Sequence, residues 1–109
     1  METVQPRVQA PRVAKRDEVF QVRSLISHPM ETGLRHDDSG QLIPRRLINK
    51  FSCRYNDVVV FSADLHEGVS ANPYLSFFVR ATESGVLHFL WEEDGGAVFS
   101  LQSPLSVST

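Results

Sequence analysis

The sequence predicts an all-β fold: a sandwich of two packed antiparallel sheets with about seven strands in one domain. Three observations carry that reading. Apolar and polar residues alternate over many short stretches, which is the period of a half-buried strand. Turn-forming pairs such as Asn56-Asp57 and Gly95-Gly96 separate those stretches at short intervals. No stretch carries a convincing amphipathic helical pattern, so an apolar sheet face has only a second sheet to pack against. A length of 109 residues suits one domain, and the 41% hydrophobic and 22% charged fractions are ordinary globular values.

Taken in order, a weak strand is expected around Arg7 to Val13. Glu18 to Ser27 is a clearer one, with Phe20, Val22 and Ile26 on one face and Gln21, Arg23 and Leu25 on the other. Leu47 to Tyr55 sets Leu47, Phe51, Cys53 and Tyr55 against Lys50, Ser52 and Arg54. Asn56-Asp57 then favours a tight hairpin into the β-branched and aromatic run Val58 to Ala63. Tyr74 to Ala81 places Leu75, Phe77, Val79 and Ala81 together, and Val86 to Glu92 does the same for Leu87, Phe89 and Trp91, with Gly85 marking the turn between them. Asp94-Gly95-Gly96 leads into Ala97 to Leu101, and Pro104 ends the ladder or confines it to an edge. Residues 1–17 read as an N-terminal extension with an edge strand, 18–104 as the sandwich and 105–109 as a tail.

Several function classes are disfavoured. The net charge is −2 and the basic residues are scattered apart from Lys15-Arg16 and Arg45-Arg46, so no broad positive field invites nucleic acid. The longest apolar run, Val58 to Phe61, is far short of the roughly 20 residues that span a bilayer, so no membrane role is expected. Met1 to Glu18, with Pro6 and Pro11, lacks the apolar stretch of a secretory signal and taken alone reads as cytosolic. A lone cysteine excludes an internal disulfide framework.

Two loops are longer than the strands require, from His28 to Pro44 and from Asp64 to Pro73. Ordering such loops costs entropy without adding much core, which favours a functional reading. The residues that begin and end them, Leu25-Ile26-Ser27-His28-Pro29-Met30-Glu31-Thr32-Gly33-Leu34-Arg35 and Asn72-Pro73-Tyr74-Leu75-Ser76-Phe77, resemble the signature segments of the SoxZ family. Leu42-Ile43-Pro44 and Trp91-Glu92-Glu93-Asp94-Gly95-Gly96 support the resemblance, which covers Val19 to Phe99.

The resemblance implies an immunoglobulin-like sandwich and a non-catalytic role. In that family the chain binds SoxY, as a heterodimer or heterotetramer, and other Sox enzymes dock transiently during thiosulfate oxidation. The sulfur intermediate rides on a Gly-Gly-Cys-Gly-Gly arm of SoxY. This chain ends Ser103-Pro104-Leu105-Ser106-Val107-Ser108-Thr109, without cysteine or flanking glycines, and so is expected to support the carrier. The resemblance also reverses the cytosolic reading, because it implies a periplasmic protein co-exported with SoxY.

The candidate partner-binding residues are His28, Pro29, Met30, Glu31, Thr32, Gly33, Leu34, Arg35, Asn72, Pro73 and Tyr74. Pro29 restricts His28 to extended geometry, so this stretch is equally a rigid anchor or a shaped contact, and the two are compatible. Tyr74 joins a large ring to a polar tip, which suits an interface. Arg45-Arg46 suits an acidic partner surface or guards a strand against aggregation.

No catalytic residue, metal or cofactor is expected. A metal-binding iron or copper oxidoreductase is the main alternative, because His28-Pro29-Met30 is similar to a stretch of superoxide reductases, which share the fold type. Against it, no histidine lies within ten residues of Cys53. Cys53 alternates with Phe51 and Tyr55, as an inert core thiol would. No Gly-x-Ser-x-Gly elbow is present. Glu92-Glu93-Asp94 sits in a predicted hairpin, where its charges are expected to be solvated.

Overall fold

Between Val19 and Ser27 every second side chain is buried, and the four that point inward are Phe20, Val22, Ser24 and Ile26. The one polar member is satisfied, since Ser24 Oγ donates to the Leu75 carbonyl at 2.9 Å. The structure, a computed structural model, describes residues 4–66 and 72–109, so residues 67–71 of the second expected loop lie outside the described residues. Eight strands follow one another along the chain: β1 (Gln5–Gln9), β2 (Val13–Lys15), β3 (Val19–Ser27), β4 (Ile48–Tyr55), β5 (Val58–Asp64), β6 (Tyr74–Arg80), β7 (Gly85–Glu93) and β8 (Val98–Ser108).

They form two sheets, ordered β1-β3-β6 and β2-β8-β7-β4-β5. The all-β immunoglobulin-like sandwich expected from the sequence is what the chain adopts. Two details differ. The single strand expected around Arg7 to Val13 is two strands, because the chain leaves the first sheet after Gln9, passes Pro11 and joins the second sheet at Val13. β2 then runs parallel to β8, which makes one pair an exception to the antiparallel rule.

The second difference is at Pro104, which lies inside β8, so that residues 105–108 of the expected tail continue the strand. The Ser106 N–H donates to the Arg12 carbonyl on the β2 side, and alternation turns the Pro104 nitrogen to that same side, before β2 begins to pair. Its missing donor therefore faces an open edge while its other flank stays paired with Val86.

Between the sheets lies an aromatic core. Phe51 stands 5.1 Å from Trp91, 6.0 Å from Phe77 and 6.1 Å from Phe61 between ring centroids, and Phe61 stacks on Phe77 at 4.3 Å. These contacts tie β4, β5 and β7 of one sheet to β6 of the other. The β4–β5 hairpin turns on Asn56 and Asp57, both with positive φ as a two-residue hairpin requires. The Asn56 side chain folds back and accepts the Val86 N–H at 2.9 Å. It occupies the place where a Cβ on residue 85 would stand, which explains the glycine there. Tyr55 closes the same end: its hydroxyl accepts the N–H groups of Thr82 and Glu83 at 3.1 and 3.0 Å and donates to the Glu83 carbonyl.

Candidate partner-binding surface

β3 ends in the segment that the sequence singled out, and that segment is held by a buried polar network. His28 is 2% exposed. The Met30 N–H donates to His28 Nδ1 at 2.8 Å. A backbone N–H can only donate, so Nδ1 is the acceptor and the ring proton sits on Nε2. Nε2 in turn donates to Glu93 Oε2 at 2.7 Å. The other carboxylate oxygen, Oε1, accepts Arg46 Nε at 2.9 Å. One buried carboxylate therefore joins the start of the long loop to its end.

Asp94 extends the network. Its Oδ2 accepts Arg45 Nε at 3.0 Å and the Leu47 N–H at 3.2 Å, and its Oδ1 accepts Asn49 Nδ2 at 3.1 Å. The charges of this hairpin, expected to be solvated, are turned inward at Glu93 and Asp94, because the loop end at Arg45 to Asn49 runs alongside and supplies their donors. The same geometry pairs Arg45 and Arg46 within the chain. Burial pushes both carboxyl groups up, but the bonds outweigh it: Arg46 and His28 hold Glu93 below the usual carboxylate range, and Asn49, Arg45 and Leu47 do so for Asp94.

The loop itself is an irregular hairpin. Glu31 and Arg46 exchange backbone bonds at 2.7 Å in each direction, and the Ile43 N–H donates to the Arg35 carbonyl at 2.8 Å. At the tip, Asp37 Oδ1 accepts Ser39 N–H and Gln41 N–H, both at 2.9 Å. Glu31 also pairs with Arg35. Met30 holds a positive φ of 52°, costly for a side chain without a local polar partner. It is fixed there by its bond to His28 and by its buried thioether, whose sulfur accepts the Ile48 N–H at 3.3 Å.

The two recognised segments meet in space. The His28 N–H donates to Asn72 Oδ1 at 3.0 Å, the Asn72 N–H donates to the His28 carbonyl at 3.2 Å, and the Ile26 N–H donates to the Pro73 carbonyl at 3.3 Å. Their roles divide by exposure. His28, Met30 and Pro73 are buried, Pro29, Glu31, Thr32 and Gly33 are half-buried, and Leu34, Arg35, Asn72 and Tyr74 are exposed. Tyr74 lies on the outer face of the three-stranded sheet, paired across strands with Leu25.

A second exposed region was not legible as such in the sequence. Val58, Val59 and Val60 on β5 and Phe78 on β6 are all exposed, beside an open cleft of about 360 Å³ lined by Tyr55, Val58, Val60 and Phe78 among others. The signal present in the sequence was three consecutive apolar residues in Val58 to Val60, where a half-buried strand should alternate.

Cys53 is fully buried and burial pushes its thiol up to about 12. Among the described residues, no three or more His, Cys, Asp or Glu side chains gather as a metal site. Both nitrogens of His28 are occupied by protein groups. Among the same residues no helix is long and apolar enough to cross a membrane.

Similar folds are found among solved structures, including a superoxide reductase (neelaredoxin) from Ignicoccus hospitalis and two of its variants. Each has a TM-score of 0.74 and 21% identity, covering 94% of this chain and 79 to 80% of the other. At that identity the likeness shows the fold alone. No curated protein matches the chain. The family described as "Sulphur oxidation protein SoxZ" matches residues 8–104. The chain belongs to the SoxZ family. The SoxZ match spans both recognised segments, the buried network and all of the sandwich except its first and last few residues. It places the chain among the subunits of the Sox sulphur-oxidation system.

Proposed function

We propose that this SoxZ-family chain is the non-catalytic half of a SoxYZ carrier, binding SoxY and presenting its sulfur-bearing arm to other Sox enzymes in thiosulfate oxidation. The family match over residues 8–104 carries this reading. The chemistry of the described residues supports it. The one thiol is sealed in the core, and the most buried histidine and carboxylate are consumed in holding a loop. What the chain offers is shaped surface.

In this reading the network at Glu93 works by preorganisation. Bracing both ends of the loop lowers the entropy lost when a partner covers Leu34, Arg35 and Leu42 near its tip, or Asn72 and Tyr74 beside its base. The assembly is a heterodimer or heterotetramer, and it acts in the periplasm after co-export with SoxY.

The test is expression with and without SoxY. Co-purification as a stoichiometric complex, with a higher thermal midpoint than the isolated chain, is the expected result. Equal solubility, monomeric behaviour and thermal stability in both preparations would overturn the proposal. The fold likeness to superoxide reductase motivates one further measurement, elemental analysis of the purified chain. The donor set here does not fit such a centre, because Cys53 is isolated and both ring nitrogens of His28 are already bonded. Stoichiometric iron or copper would favour the oxidoreductase reading instead.

A further inference from the structure

Two sheets present four edge strands, β1, β6, β2 and β5. Edge strands expose unpaired backbone groups, and natural sheets block them with proline, positive charge or brevity. Two of these edges are blocked in that way. β1 carries Pro6 and Arg7, and β2 is three residues long and ends in Lys15. The other two are not. β5 is seven residues long with no proline, lysine or arginine, and β6 has a single cation, Arg80, at its end. Among the described residues nothing pairs with the second side of either strand.

These two edges lie on the same flank of the sandwich, as the stacking of Phe61 on Phe77 requires, and the protection of β5 is limited to a bulge at Val60. Their side chains are apolar where they should be polar. Val58 is 65% exposed, Val59 50%, Val60 37% and Phe78 67%. Val59 lies on the outer face opposite Arg54, and the cleft-lining Val58, Val60 and Phe78 present roughly 300 Å² of surface, somewhat over a third of the 800 Å² that each partner contributes to a stable interface. A strand laid along β5, with its ladder bonds and polar rim, would supply the rest.

We infer that the β5 edge and the cleft between β5 and β6 receive an extended strand of the partner subunit, added to the five-stranded sheet. The inference rests on the SoxY-binding reading. The occupant is a strand because open backbone groups are satisfied most fully by another ladder. Its side chains facing the cleft are apolar, to cover Val58, Val60 and Phe78. A second copy of this chain fits less well. The register between Cys53 and Arg54 skips Val60, which is a bulge. Full-length antiparallel self-pairing of β5 would put that bulge on both strands and break the ladder twice, besides setting Asp64 opposite Val58 at each end.

The experiment pairs SoxY with four forms of this chain: the unaltered protein, V58K/V60K, F78K, and V98K as a control on the outer face of β8. Affinity is read by calorimetry, self-association by sedimentation, and folding by circular dichroism. Loss of SoxY affinity by a hundredfold or more in V58K/V60K, with V98K unchanged, is the expected result. Should V58K/V60K fail to fold, F78K decides by the same criterion. Unaltered affinity in the folded edge variant overturns the inference while leaving the proposed function standing. A variant that abolishes self-association but still binds SoxY overturns it in favour of a second copy. Failure of the unaltered chain to bind SoxY removes the proposed function and this inference together.

Discussion

Truncating Glu93 to alanine removes, in one step, the acceptor for His28 Nε2–H and for Arg46 Nε–H. Arg46 is half exposed and can turn to water, whereas the His28 ring is fully enclosed and keeps a donor with no partner. A loss of about 2–3 kcal/mol is expected in urea denaturation, most of it from the stranded imidazole N–H. The network also sets an acid limit. Glu93 and Asp94 bind protons less readily in the folded chain than in the unfolded one, so stability rises with pH through the carboxylate range. It is fully present above the ordinary carboxyl values of 4.5 and 3.8 and is lost as pH falls through the lowered ones. Thermal midpoints should therefore hold at neutral pH and fall below about pH 4.5, and Glu93→Gln should flatten that descent. At Cys53 the expectation is kinetic: iodoacetamide should label the native chain negligibly over hours and the urea-unfolded chain readily, because the thiol is both buried and held protonated.

Among the elements, β3 and β7 were readable from the sequence because each has its core neighbour on one side only, so alternation reports burial directly. The inward Glu93 and Asp94 were not readable, since their donors come from residues more than 40 positions away, on the neighbouring strand β4 and its approach and, for His28, from the other sheet. β8 was cut short for a related reason. The effect of Pro104 depends on which flank of the strand has a neighbour, and no local pattern states that. The segments Leu25 to Arg35 and Asn72 to Phe77 were recognised from residue identity, yet their mutual bonds through His28 and Asn72 emerge only in three dimensions. Where β4 passes into the hairpin, Tyr55→Phe tests a single anchor. Its hydroxyl serves two amides and one carbonyl, so the variant should lose about 1–3 kcal/mol and raise hydrogen exchange at Thr82 and Glu83 before anywhere else.

For the molecule as a whole, the arrangement of edges separates a sealed side from an open one. The sealed side is where the second and last strands meet: Val13, Ala14 and Lys15 lie along Ser106, Val107 and Ser108. Arg16 adds a backbone bond to Ser108 at 2.7 Å, and Leu105 is buried just before the contact. Cutting the chain after Pro104 would take away every partner of β2 and one core side chain, so a marked fall in thermal midpoint and a loss of exchange protection at Ala14 are expected. The β2–β8 pair works as a buckle. A tag or fluorophore attached behind Thr109 would consequently sit next to the amino-terminal crossover, on the flank remote from Val60, where it leaves the open side of the sandwich clear for binding measurements.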